Sequence, residues 1–313
     1  MIVNRLYMSI FWQRNASVWG IFAVTVVFLA VYAFLFPSLL QPSGLARMSQ
    51  TWFPLAAVAM AQAIVMMTGG VDLSTGAVVS VGCVLTATLL GDDATTMAGG
   101  IALVLLAGAV IGGVSGLIVS LLRLPPIIVT LAMSFIWNGV ALLIMPVPGG
   151  YVPETFSDAL AGDLPTPLLV IAVMAILWKL WTLTPLGLAG IVIGDNPAGA
   201  FRSGIAVNRA RIAAYAISGV LGVMAGMFLA AQTGTGDPTI GAPSTLNSIT
   251  AAVLGAVAFT GGVGTMRGAL AGALLLTVMI SVMFLLGISA FYQYIAQGAV
   301  ILLAVGLPLL RRA

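Results

Sequence analysis

Few residues in this chain are equipped for chemistry, and Asp72 is the first of them. It lies between Gly70 and Ser74 in an otherwise apolar neighbourhood. An ionisable group at membrane depth marks a functional site by default, and a proton- or ion-coupled carrier would need one. A second reading stands beside it. A carboxylate just before Leu73 can accept the free N–H groups at the head of a helix, where the helix dipole favours its charge. With no base nearby to pair with, the cap is the simpler role. Four carboxamides, Gln62, Asn138, Gln232 and Asn247, also lie within apolar runs. They offer neutral donors and acceptors suited to lining a path for hydroxylated solutes. Each equally suits an interhelical hydrogen bond worth about 1 kcal/mol.

Other chemistries are excluded by composition. There is no histidine, and Cys83 is the one cysteine, so His-dependent catalysis and the usual zinc and haem ligand sets are out of reach. No metal site and no cofactor are expected. Lys179, the only lysine, lies between Trp178 and Leu180, so no nucleotide-binding P-loop exists here. Energy for any transport must come from a partner subunit or an ion gradient, and the chain is not expected to be an enzyme.

The polar interval from Thr184 to Tyr215 carries Arg202, Arg209 and Arg211 and reads as the longest stretch outside the membrane. Within it the sequence predicts a miniature helix over Ala198, Gly199, Ala200, Phe201, Arg202 and Ser203. Asp195 or Asn196 supplies the N-cap, Pro197 the first helical position and Gly204 the left-handed stop. So short a helix persists only when packed on something. One bulky apolar side chain, Phe201, stands beside a cation, Arg202, a pairing suited to a groove on a partner protein.

These residues must be positioned by membrane helices. The 313 residues are 61% hydrophobic and 6% charged, with mean hydropathy +1.19, whereas soluble domains carry about 25% charged residues. At ~20 residues per crossing the chain holds about ten spans. They are Val18–Phe36, Trp52–Met67, Leu73–Leu90, Met97–Leu122, Ile127–Met145, Pro167–Leu183, Ile212–Ala231, Leu246–Phe259, Thr265–Leu286 and Phe291–Leu310. The stretch 246–259 is short and reads as tilted or re-entrant. Pro37–Gln50 and Pro146–Thr166 read as loops. Long continuous apolar runs argue against a β-barrel.

This layout puts Arg5, Arg14, Arg123, Arg202, Arg209, Arg211, Arg267, Arg311 and Arg312 on one side, with Arg47 the exception. The positive-inside rule makes that side, and both termini, cytoplasmic. The net charge of +3 is explained by topology, so no nucleic-acid partner is expected; membrane lipids are. The motif Thr68-Gly69-Gly70-Val71 with Gly76-Ala77 recurs as Thr260-Gly261-Gly262-Val263 with Gly268-Ala269. Transporters are often duplicated this way, with broken helices at the midplane.

Two motifs carry a family resemblance. Gly194-Asp-Asn-Pro-Ala-Gly-Ala-Phe-Arg-Ser-Gly-Ile205 resembles the cytoplasmic coupling segment of ribose/galactoside-type permeases of bacterial ABC importers. That pattern reads Gly-x-Asn-x-x-Ala-Ala-x-x-Ser-Gly-Ile. Asn196, Ala200, Ser203, Gly204 and Ile205 match it, and Gly199 stands where alanine is usual. Gly69-Gly70-Val71-Asp72-Leu73-Ser74-Thr75-Gly76 is similar to the family's Gly-Gly-Ile-Asp-Leu-Ser-x-Gly. The likeness covers the chain from about Thr51 onward.

The resemblance implies an all-α integral membrane permease, one domain over 1–313 with a coupling loop at about 184–211, in a bacterial inner membrane. It implies inverted halves, whereas the span count makes the two motif copies parallel. It also implies three partners: an ABC ATPase subunit, a periplasmic sugar-binding protein and a second permease subunit, identical or related. The cargo would be a monosaccharide, with ATP-driven motion passed through the 196–204 helix. An ion-coupled carrier using Asp72 is the alternative.

Overall fold

The computed structural model describes residues 20–310, with residues 300–310, Leu302 apart, described as backbone only. Arg5, Arg14, Arg311 and Arg312, which carry part of the orientation argument, lie outside the described residues.

The protein is all-α, with no named strand among the described residues. The helices are α1 (Gly20–Leu35), α2 (Pro42–Met67), α3 (Thr75–Leu89), α4 (Ala94–Leu121), α5 (Pro126–Ile144), α6 (Glu154–Ala161) and α7 (Thr166–Trp181). They continue as α8 (Pro185–Asp195), α9 (Pro197–Arg202), α10 (Val207–Thr233), α11 (Ser244–Leu254), α12 (Met266–Leu285) and α13 (Ala290–Leu310).

Among the described residues, α2, α4, α5, α10 and α12 are each long and apolar enough to cross a bilayer. α6 and α7 make a sixth crossing if taken together, bent by 75°. α2 is the axis of the molecule: every residue from Ala56 to Thr68 is buried, on all faces of the helix. A helix apolar all round belongs in an interior. α10 packs beside it antiparallel, with the Phe53 and Phe228 rings 4.8 Å apart at one level and Gly70 against Tyr215 at another.

α4 packs antiparallel on α10 through its small residues. A Cβ on Gly108, Gly112 or Gly116 would strike Gly219, Tyr215 or Ile212 of α10, so the backbones approach as only glycine allows. Gly99 has open space around it and Gly113 only a distant neighbour; those two serve no such contact. By contrast α5 exposes Ile128, Leu131, Phe135 and Leu143, the side chains that hydrocarbon solvates.

The structure corrects several expected boundaries. Pro37–Gln50 is not a loop: Pro37–Leu40 forms a 3-10 turn and α2 already starts at Pro42, because proline fits a first helical turn. The expected loop 146–166 contains α6, whose Phe156 is buried. α3 has 15 residues and starts at Thr75, not Leu73. α11 has 11 residues, about 16 Å of helix, too short to cross ~30 Å of hydrocarbon alone. The largest departure is α8, which occupies the first third of the stretch expected to lie outside the membrane. Its Gly187, Gly190 and Gly194 read as loop residues in sequence, but a Cβ on Gly187 or Gly194 would meet neighbouring backbone.

The two motif copies are parallel, as the span count has them. α3 runs in step with α10, with Asp72 beside Ser218 and Val78 beside Gly222. α12 runs against α2: Gly264 meets Met67, while Thr277 and Ile280 lie beside Pro54 and Val58. Since α2 opposes α10, α3 and α12 point the same way.

Candidate functional site

Two helices, not one, build the segment that carries Phe201. Thr184 opens α8 by accepting the Gly187 N–H on its hydroxyl at 3.1 Å. After Asp195 the chain turns at Asn196, whose Oδ1 accepts the Gly199 N–H at 2.8 Å, and Pro197 takes the first position of α9. At the other end the Gly204 N–H donates to the Phe201 carbonyl at 3.0 Å and the Ile205 N–H to the Ala200 carbonyl at 3.1 Å. Gly204 has φ +78°; together these make a Schellman closure. The helix thus spans Pro197–Arg202, starting at Pro197 as expected and ending one residue before Ser203, with Asn196 as its cap.

α9 buries only Ala200, against Ala189, Ile193 and Ala210. Phe201 is 74% exposed, and Arg202 beside it is exposed. A large ring held outward on a helix capped at both ends is the kind of anchor that fills a partner's pocket.

The end of α8 is wedged into the interior. A Cβ on Gly194 would strike the Met67 carbonyl and the Gly262 N–H, and that N–H donates to that carbonyl at 3.1 Å. Gly261 lies against Gly69 and Gly194, and both Gly69 (φ +79°) and Gly261 (φ +86°) need a backbone conformation that other residues rarely adopt. The two copies of the Thr-Gly-Gly-Val motif therefore meet, with α8 clamped on their junction.

Asp72 lies in the break between α2 and α3 and is 2% exposed. Its Oδ1 accepts from the Ser74 N–H (2.9 Å) and hydroxyl (2.6 Å), and its Oδ2 from the Ser218 hydroxyl (3.2 Å). Gln62 spans its backbone, donating to the Asp72 carbonyl at 3.0 Å and accepting the Asp72 N–H at 3.3 Å. Thr130 of α5 accepts the Leu73 N–H at 3.0 Å, and its single hydroxyl proton lies between the Pro126 carbonyl at 2.9 Å and the Val71 carbonyl at 3.2 Å. Non-helical backbone at membrane depth persists only when its polar groups are satisfied this way. α3 begins at Thr75 and not at Leu73, and Asp72 accepts the Ser74 N–H in the turn that leads into it.

Gln232 and Asn247 come together. They line a cavity of about 300 Å³ with Gln50, Thr51, Ser244 and Thr277, among apolar side chains that include Pro54, Leu55 and Val58. It opens near the C-terminal end of α10, the opposite end from α9. Gln62 is held by Asp72, and Asn138 is exposed on α5; neither reaches the cavity. Gln50, Thr51, Ser244 and Thr277 escaped the sequence reading because the first two fell in or beside an expected loop, and serine and threonine are common in any helix.

Among the described residues, five or six helices long and apolar enough to cross a bilayer surround a buried axis, with two broken helices at the centre and a capped helix projecting from one end, an arrangement that suits a membrane transport permease. A family model described as the branched-chain amino acid transport system / permease component matches residues 44–305, and the chain belongs to that family. The ribose import permease protein RbsC of Escherichia coli is 32% identical over 90% of each chain. The galactose/methyl galactoside import permease protein MglC of the same organism is 33% identical over 94% of each. The L-arabinose ABC transporter permease protein AraH of Azospirillum brasilense is 30% identical over 94% of this chain and 88% of its own. No solved structure matches.

Proposed function

We infer that this chain is the membrane-spanning subunit of an ATP-driven importer for a monosaccharide. Relatives similar over nearly their whole length are named for ribose, galactose and arabinose import. The observation that carries the mechanism is Phe201, exposed on a helix fixed by caps at both ends. An ABC ATPase subunit receives that helix, with Asp195, Asn196, Pro197, Ala198, Gly199, Ala200, Arg202, Ser203 and Gly204 shaping the surface around Phe201. Hydrolysis belongs to that partner. A periplasmic sugar-binding protein delivers cargo at the opposite end, and a second permease subunit completes the pathway. The α9 end and both termini are cytoplasmic in a bacterial inner membrane.

ATPase closure pushes on α9 and, through α8, on the Met67–Gly262 junction, which separates the broken helices α2–α3 and α11–α12. Two rigid packings of such a junction switch the path from outward- to inward-facing.

Reconstitution in liposomes with ATPase and binding protein tests this. Native uptake is expected to require ATP, and Phe201→Asp to lose both ATPase association and uptake. Uptake by the permease alone, driven by an ion gradient and indifferent to Phe201→Asp, would overturn it in favour of a carrier using Asp72.

A further inference from the structure

We propose that the cavity between α2, α10, α11 and α12 is a low-affinity site for one monosaccharide, formed within a single chain. Its volume of about 300 Å³ stands at the lower end of the range of about 300–1,000 Å³ for small-ligand sites. Its lining is mixed. Pro54, Leu55 and Val58 of α2, with Leu229, Ile240 and Ile280, supply apolar surface that suits the C–H groups of a sugar ring, and Gln232, Ser244, Asn247 and Thr277 supply polar groups among them.

The hydrogen-bonding accounts of these groups differ. The Thr277 hydroxyl donates to the Ala273 carbonyl at 2.8 Å and the Thr51 hydroxyl to the Arg47 carbonyl at 2.9 Å, so toward a ligand each can only accept. The Gln50 amide N–H groups are taken by the Ala161 and Gly162 carbonyls, at 2.9 and 2.7 Å, which leaves its oxygen free. Gln232, Ser244 and Asn247 have no intramolecular side-chain bond among the described residues. They are the unspent donors. Sugar hydroxyls, each both donor and acceptor, complement this mixture.

No lining residue is ionisable. A zwitterionic amino acid would have to shed water from two charges with no counter-charge in the lining to meet them. The cavity therefore selects neutral polyols over the amino acids for which the matching family is named. It also has no aromatic ring for stacking, so binding is weak, as passage through a transporter requires.

The proposal rests on the importer reading only for its choice of sugars, because binding is measured on the chain alone. Purified full-length permease in detergent is titrated by saturation-transfer NMR with D-ribose, D-galactose and L-leucine. At least one sugar should bind and L-leucine should not. Asn247→Leu, which keeps the bulk and removes the amide, should weaken sugar binding about tenfold, the loss of a hydrogen bond or two. Asn247→Gln should restore it to within about twofold. If Asn247→Leu does not fold, Thr277→Val, which keeps shape and removes the acceptor, replaces it with the same expectation.

Sugar binding unchanged in the cavity variants, no sugar binding at all, or L-leucine binding in its place would each overturn the proposal. Absence of ATP-driven uptake by the native assembly, with sugar binding intact, would instead refute the importer reading and leave the site standing.

Discussion

Gly194 of α8 is seated directly against Gly262 of the α11–α12 turn, at the point where the Gly262 N–H meets the Met67 carbonyl. No side chain separates the helix leading to α9 from the two broken helices at the centre of the molecule. Movement of α8 therefore reaches both breaks without passing through a compliant layer.

That contact predicts a sharp difference between two glycines on one helix. A Cβ on Gly194 would strike backbone, whereas one on Gly190 meets only the Thr68 methyl at an ordinary 3.5 Å. Overpacking of this kind costs about 1–3 kcal/mol. Gly194→Ala should cut ATP-driven uptake by about tenfold or more while ATPase still binds, and Gly190→Ala should leave uptake near native. Equal uptake by the two variants would refute the wedge.

Asp72 gives a second prediction. All its side-chain bonds come from the neutral donors Ser74 and Ser218, and its backbone is held by Gln62. As a structural turn it should tolerate Asp72→Asn, with an amide oxygen replacing the carboxylate oxygen toward Ser74, and uptake should stay within about threefold. Asp72→Ala leaves those donors unpaired at a cost of about 1–3 kcal/mol, read as a lower melting temperature in detergent. Loss of coupling in Asp72→Asn with melting unchanged would point to an ion site.

Ala256, which follows α11, sits at φ +58°. The Ala256 N–H donates to the Val253 carbonyl at 2.9 Å and the Val257 N–H to the Ala252 carbonyl at 3.0 Å, a Schellman closure with alanine in glycine's place. Left-handed backbone costs a non-glycine residue about 1–2 kcal/mol, partly offset by the greater freedom of glycine in the unfolded chain. Ala256→Gly should raise the melting temperature, by a net stabilisation of about 1 kcal/mol or less. A fall in melting temperature would show that the flexibility gained outweighs the strain removed.

Asp93 caps α4 from outside the membrane, with its carboxylate accepting from the Thr96 hydroxyl at 2.5 Å and the Thr96 N–H at 2.9 Å. These bonds hold its carboxyl below the ordinary carboxylate value. A group whose pKa falls on folding binds its proton more weakly in the native state. Its stabilising effect is complete above the unfolded value of about 3.9 and vanishes as pH drops through the lower folded value. The melting-temperature difference between native protein and Asp93→Ala should be constant from neutral pH to about pH 5 and shrink on further acidification. A difference that does not change with pH would show that the charge is not what caps the helix.

The sequence alone determined much of this protein. Its membrane class followed from hydropathy, because removing apolar runs from water outweighs every local preference. The caps of α9 were legible in Asn196, Pro197 and Gly204, because capping is local chemistry among residues three or four apart. Gln232 and Asn247 were visible as amides out of place. What only the tertiary structure decided was which distant groups meet. Gln62 resembled Asn247 in sequence, yet one serves the backbone of Asp72 and the other faces a cavity. α8 was hidden because its glycines signal a loop locally, and only the Met67 and Gly262 backbones lying against Gly194 turn that missing side chain into a packing requirement. Short-range propensity cannot see such contacts, since the partners lie far from Gly194 along the chain and are brought to it only by the fold.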